Sequence, residues 1–404
     1  MTSRTKIAFL CDRLGPYHFA QLNAASGHAE IIAIEFSTLD QTYAWDLIEA
    51  PCDFQRVTLF SDAPVNMQPV NAVVSRVNNV LAEIKPQVVA IPGWDAPASL
   101  IALWWCLHNK TPSILMSDSQ KHDEIRVWWK ELVKRQIVKL HSSGFVAGSP
   151  HIDYLKFLGM PETRIFIGCD VVDNVFLAER ARKFQQDSAA VRKRLGLPGK
   201  YFLASNRFVQ KKNLFFLLQA YEKYCKKVVG DPWKLVLLGD GPLKHQIIIR
   251  RDELDLSNNV ILPGFRQYEE LPAYYGLSGA FIHASTSEQW GLVVNEAMAC
   301  GLPVIVSSPC GCAPDLVRHA CNGFTFDPYD SDELADFLVF VSGNTCNRAE
   351  MGQASRNIID CWSLETFTSN LIKAANVAME ADRPRIDYVS KALLWGLIHR
   401  KRSH

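Results

Sequence analysis

Short apolar runs alternate with helix-length amphipathic stretches along the whole chain, and this alternation constrains the fold more than any other feature. Ile7–Leu10, Ile31–Phe36, Val88–Ile91, Ser113–Met116 and Gly144–Val146 form one set of buried strands. Phe202–Ser205, Leu235–Leu238, Val260–Leu262, Gly279–His283 and Pro303–Ser307 form a second. Between them lie Pro69–Ile84, Asp123–Leu140, Leu214–Lys227 and Leu292–Cys300, each long enough for a helix. Apolar strands separated by helices read as parallel, doubly wound α/β sheets, because each crossover helix must cover a sheet face. So many strands exceed one comfortable sheet, and 404 residues exceed one core. Two domains follow, with the boundary in the charged stretch 174–200. In such sheets ligands bind beyond the carboxyl ends of the strands, here expected to face an interdomain cleft. The residues directly after each strand are therefore the candidates.

Bulk properties remove several classes. A formal net charge of +1 gives no whole-molecule attraction to nucleic acid. Ile7–Leu10 is too short for a signal-peptide core, and Ser99–Leu107 stops at His108 well short of a membrane span. The expected location is the cytoplasm. Eleven scattered cysteines read as free thiols in a reducing compartment. Cys310-Gly311-Cys312 is too close-set for a zinc pair, and no metal site is expected. Asp330-Ser331-Asp332 has the form of an acid pair but reads as a helix cap.

The most informative stretch runs from Ser287 to Gly301. It follows a strand and holds Glu288, a turn at Gly291 and Leu292, and then Glu296 one turn into a helix. A helix amino terminus offers free N–H groups and a positive dipole end to a diphosphate. Gly291 permits close approach, Glu296 can accept ribose hydroxyls, and Glu288 can hold hydroxyls of a sugar. Taken alone, two carboxylates at this spacing favour an ordinary strand–loop–helix unit with two solvated glutamates.

This stretch resembles the nucleotide-binding domain of the retaining glycosyltransferases of family 4, which have the GT-B fold. Ser205-Asn206-Arg207-Phe208-Val209-Gln210-Lys211-Lys212-Asn213 is similar to that family's arginine–lysine segment, and Gly239-Asp240-Gly241-Pro242 to its glycine turn. Val260–Phe265, Leu302–Ser307 and Asn322–Pro328 extend the likeness across roughly residues 200–370, and Ser308–Asp315 resembles a small-residue loop beside the donor. The resemblance implies two Rossmann-like domains, residues 1–175 on the acceptor side and 176–364 on the nucleotide-sugar side. Trp362–Met379 resembles a final helix crossing back, so 365–404 would pack on the first domain. Arg207 and Lys212 would neutralise the leaving diphosphate, with Lys211 a competitor of Lys212. Asn213 departs from the usual glycine.

In the amino-terminal half the likeness is weaker. Gly15, before Pro16, stands where the family has a glycine-rich loop facing the donor phosphates. His18 would reach a phosphate or an acceptor hydroxyl, or else sit as a structural helix-start histidine. After Ser113–Met116 comes Asp118, placed near the reacting sugar by analogy, although Ser117 and Asp118 also suit a helix cap. Asp95 is a weaker candidate, since Pro97 suits a helix start.

The implied chemistry is metal-independent sugar transfer from a nucleotide sugar to a glycan, a lipid-linked sugar or a small molecule, with retention of configuration. The leaving diphosphate takes the acceptor's proton, so no enzyme nucleophile is needed and Glu288 supplies positioning or electrostatic stabilisation. The rivals are a non-catalytic nucleotide-sugar-binding protein and a sugar-nucleotide epimerase. Arg126, Lys130 and Lys134 at i, i+4 spacing beside Trp128 and Trp129 suit peripheral contact with an anionic membrane face. Asp123, Glu124 and Glu131 make a solvated helix face the simpler reading. The apolar-then-basic end Leu393–Arg402 meets a membrane or a partner, or packs back on the first domain.

Overall fold

The computed structural model describes residues 4–39, 45–384 and 386–400; Lys401 and Arg402 of the basic end lie outside them. Contacts divide the chain into two units. The first holds residues up to 121, 125–171 and 364 onward, and the second 122–124 and 172–363.

The first unit runs β1 (Lys6–Cys11), α1 (Pro16–Ser26), β2 (Glu30–Ser37), β3 (Gln55–Phe60), α2 (Val70–Ile84), β4 (Val88–Pro92), α3 (Pro97–Asn109), β5 (Ser113–Ser117), α4 (Trp128–Val138), β6 (Ser143–Val146), α5 (Ser149–Phe157) and β7 (Ile165–Ile167). The second runs α6 (Asn174–Gln186), α7 (Ser188–Leu195), β8 (Tyr201–Ser205), α8 (Leu214–Lys227), β9 (Lys234–Leu238), α9 (Lys244–Glu253), β10 (Val260–Gly264), α10 (Leu271–Gly276), β11 (Ala280–His283), α11 (Leu292–Ala299), β12 (Val304–Ser307), α12 (Ala313–Leu316), β13 (Gly323–Phe326), α13 (Ser331–Ser342) and α14 (Arg348–Ile359). The chain then returns to the first unit as α15 (Leu364–Glu380) and α16 (Tyr388–Ile398).

The first sheet has the order β3-β2-β1-β4-β5-β6-β7 and the second β10-β9-β8-β11-β12-β13, all parallel. Buried on both faces, their strands read as nearly continuous apolar runs. Alternate residues of β1 serve different layers. Ala8 and Leu10 join a core with α2, α3 and α16, while Phe9 meets Phe367 of α15. In the second unit Phe202, Leu235 and Ile282 point to α8 and α13, and α6, α10, α11 and α14 pack together.

The charged stretch 174–200 is not a linker but forms α6 and α7, both part of the second unit. Asp173 caps α6 through the amide of Phe176 at 2.9 Å. The helix expected over Asp123–Leu140 begins only at Trp128, since Arg126 is held outside it by the carbonyls of Gln120 and Lys121. Asp330 does cap its helix, accepting from the amides of Asp332 and Glu333 at 3.0 Å.

Candidate functional site

The best-formed polar cluster lies at the carboxyl edge of the second sheet, where β8 and β11 are neighbours. Beyond β8 the chain makes a short 3-10 turn, Gln210–Lys212, ended by Asn213 at φ 56°. That left-handed conformation suits glycine best and asparagine next, which accounts for the departure at this position. The Asn213 side chain adds a bond to the Pro328 carbonyl at 2.8 Å.

Lys212 is turned inward and pairs with Glu288, both side chains being largely buried. The more exposed Lys211 reaches the other Glu288 oxygen at 3.6 Å. Thus Lys212 is the buried partner and Lys211 the outer one. Two groups from the end of β11 complete the set: His283 Nε2 and Ser285 Oγ each lie 3.3 Å from Glu288 Oε2. Burial works to raise the Glu288 pKa, but the His283 hydrogen bond and the Lys212 charge outweigh it and hold the carboxyl well below its ordinary range. Burial also pushes His283 below the usual histidine range. Nε2 faces Glu288, and Nδ1 has no hydrogen-bond partner among the described residues. Sequence reasoning missed His283 because it closes an apolar strand and reads as core.

Gly291 stands at the start of α11 with φ 112°, a left-handed value that favours glycine. A Cβ there would lie 3.5 Å from Glu288 Cγ, so the helix start abuts the carboxylate. Leu292 is the first helical residue. Glu296 on α11 is fully buried, and its Oε2 accepts the Tyr275 hydroxyl at 2.7 Å. The loop after β12 supports Glu288 from behind: the amides of Gly311 and Cys312 donate to the carbonyls of Glu288 and Trp290 at 3.1 and 3.2 Å. Cys310 and Cys312 are buried free thiols there.

Arg207, two residues past β8, is exposed. The glycine turn after β9 fixes its loop. Phe208 donates to Asp240 at 2.8 Å, and Asn206 to Leu238 at 2.9 Å. Gly239 approaches so closely that a Cβ would fall 1.8 Å from the Asn206 carbonyl oxygen. At Gly241 a Cβ would fall 2.8 Å from the Phe208 backbone. In this structure Gly239 supports the arginine loop.

Gly15, His18 and Asp118 sit at the carboxyl edge of the first sheet. Gly15 precedes α1 in extended conformation (φ −94°), and nothing lies within 4 Å of where its Cβ would be. Glycine is therefore not required there by the backbone. Its loop is tied down by fully buried Glu35, which accepts from the Leu14 amide, Thr58 and Arg56. His18 packs edge-on against Phe9 at 5.9 Å, and burial lowers its pKa. Asp118 follows β5. Ser117 Oγ accepts the Ser119 amide, and α4 starts only at Trp128 after Val127, so Ser117 and Asp118 do not cap a helix. Instead Asp118 faces Asp170 beyond β7. Burial, then the Asp118 charge, raises the Asp170 pKa from 3.8 to about 8. Asp170 went unseen because the three-residue β7 before it leaves almost no apolar signature. Asp95 is exposed, and Pro97 opens α3.

Residues 187–358 match the family model of glycosyl transferases group 1. Over these residues the second unit is similar to the group 1 glycosyltransferases. Among relatives, the chain is 34% identical over 129 residues to the alpha-monoglucosyldiacylglycerol synthase of Streptococcus pneumoniae, covering 31% of this chain and 29% of that protein. It spans about half or less of the length of the first curated relatives it matches. Among solved structures it resembles the sucrose-phosphate synthase of Thermosynechococcus elongatus, with a TM-score of 0.72 at 18% identity, covering 92% of this chain and 98% of that one. Anabaena HepE in complex with UDP gives a TM-score of 0.69 at 18% identity, with 91% and 99% covered. The two units thus have the GT-B fold, each Rossmann-like, with α15 and α16 belonging to the first.

Proposed function

We propose that the chain is a retaining glycosyltransferase that moves a sugar from a nucleotide-sugar donor to an acceptor hydroxyl. The observation that carries this is the convergence of Glu288, Lys212 and the Gly291 helix start at one sheet edge. The donor diphosphate is assigned to Lys212, Arg207 and the amino end of α11, where cations and free N–H groups meet developing negative charge. Glu288 takes hydroxyls of the transferred sugar; those of the ribose are assigned to Glu296, whose buried bond to Tyr275 must give way to them. That HepE binds UDP, and UDP-glucose in a further structure, supports a nucleotide sugar as donor.

Lys212 and Glu288 hold each other without ligand, so donor binding exchanges partners. The diphosphate takes Lys212, and Glu288 is released to accept sugar hydroxyls. The leaving diphosphate then receives the acceptor's proton as the acceptor enters on the same face. These cations supply the charge neutralisation, so no divalent metal enters the scheme. Gly15, His18 and Asp118 of the first unit keep the roles that the family resemblance implies for them, His18 toward a phosphate or an acceptor hydroxyl.

The test is a thermal-shift screen against nucleotide sugars and nucleoside diphosphates, followed by product analysis with the donor that binds. A ligand at a hundred times its Kd adds about 2.7 kcal/mol of stability. Transfer to an added acceptor extract with retained configuration supports the proposal. Isomerised donor supports an epimerase, and binding without turnover supports a binding protein.

A further inference from the structure

Two helices of the first unit present an apolar surface to solvent although their inner faces are already buried. On α16, Leu394 and Ile398 join the core with α3, and α16 packs against α4. On α4, Ile137 joins that core and Val138 a neighbouring cluster. Outward stand Ile125 (92% exposed), Trp128 (75%), Trp129 and Leu132 from the α4 segment. From α16 come Tyr388 and Trp395, the latter 60% exposed. Core packing requires none of these, and large exposed aromatic side chains clustered on adjoining elements mark an interaction surface.

The charge around them has one dominant sign. Residues 121–139 carry six lysines and arginines against three carboxylates, and 388–400 carry Lys391 and Arg400 with no carboxylate, in a chain whose net charge is +1. One of the three acids is not at the surface at all. Glu131 is buried, accepting from Lys134 at 3.1 Å and from the Tyr154 hydroxyl at 2.7 Å. Arg126 likewise lies over the Tyr154 ring at 4.4 Å. The stripe of Arg126, Lys130 and Lys134 is therefore not one solvated face. The exposed cations of these two segments are Lys121, Lys130, Lys139, Lys391 and Arg400.

We propose that this face of α4 and α16 docks on an anionic lipid surface, with Trp128, Trp129 and Trp395 at headgroup depth and the surrounding lysines and arginines on lipid phosphates. Amphipathic aromatic rings and long cationic side chains are the residues that settle at a membrane interface. A second copy is disfavoured, since the same patch on both partners sets cations against cations. No described helix is long and apolar enough to cross a membrane, so the contact is peripheral. The inference does not rest on the transferase reading.

The experiment is co-sedimentation of the full chain with vesicles of phosphatidylglycerol in phosphatidylcholine, and with phosphatidylcholine alone, at low and high salt. Wild type should bind the anionic vesicles, weaken in high salt, and bind neutral vesicles far less. The triple variant Trp128→Ala, Trp129→Ala, Trp395→Ala and the double variant Lys130→Glu, Lys391→Glu should each lose at least about tenfold in partitioning. Their melting temperatures should be unchanged, because every substituted side chain is exposed. Failure of wild type to bind anionic vesicles would overturn the proposal, as would variants that bind like wild type. Self-association in sedimentation velocity that the tryptophan variant abolishes, without vesicle binding, would instead assign the face to a second copy.

Discussion

Glu288 is held by Lys212, Lys211, His283 and Ser285, and these differ in what they can lose. Lys212→Ala removes the buried cation and should lower turnover by roughly 10²–10³-fold, the usual scale for losing one charge-stabilising group. Lys211→Ala removes an exposed, screened one and should cost less than about tenfold. Steady-state kinetics with the donor found by the binding screen would check both, and equal losses would contradict the division. The acid pair Asp118–Asp170 makes a prediction in pH. Folded Asp170 keeps its proton up to about 8, whereas the unfolded chain releases it near 3.8. The folded state therefore binds more protons across that window, and stability falls as pH rises through it. Asp170→Asn removes this loss, so it should raise the melting temperature at pH 8 by at least about 2 °C, the shift of roughly 1 kcal/mol in a unit of this size. At pH 4 it should change little. Of these residues, Glu288, Lys212 and Asp118 were singled out in the sequence by the family resemblance together with their places after apolar runs. His283 and Asp170 were not, since a buried histidine in a strand and an acid after a three-residue strand leave no pattern.

At the scale of elements, the glycine turn after β9 and the loop after β8 act as one piece. Gly239→Ala puts a methyl group against the Asn206 carbonyl oxygen and at an unfavourable φ of 132°. It should destabilise by about 1–3 kcal/mol and also weaken donor binding, because the loop it displaces carries Arg207. Asn213→Ala should cost about 1 kcal/mol and Asn213→Gly less, since only the alanine resists the left-handed backbone. Urea unfolding of the three variants checks the order. The ten apolar runs read from sequence all became strands because buried parallel strands leave unbroken apolar stretches. The three strands not read are β3, whose Arg56 and Thr58 turn to Glu35, and β7 and β13, of three and four residues. The charge of 174–200 hid α6 and α7, which have only Leu177, Ala181 and Val191 buried.

For the whole molecule, the feature that matters is that the first unit is not continuous in sequence. Its sheet carries α15 on one face, where Phe367 meets Phe9 and Phe145, Ser143 donates to the Ala374 carbonyl, and Asn370 donates to the Ile167 carbonyl. A chain ending before Leu364 should therefore lose amide protection in β1 and β4–β7 while β8–β13 keep theirs, as hydrogen exchange would read. The second unit supplies its own core and needs no later segment for its sheet. During synthesis at ~5–20 residues per second, the interval between residue 171 and the arrival of α15 is on the order of tens of seconds. Throughout it the nascent first sheet waits with an apolar face uncovered, and the second unit can finish folding before the first. Completion of the first unit thus waits for α15, which is synthesised after the whole of the second unit. The half-built first sheet is the form of this protein most exposed to chaperones, and to aggregation where they are scarce.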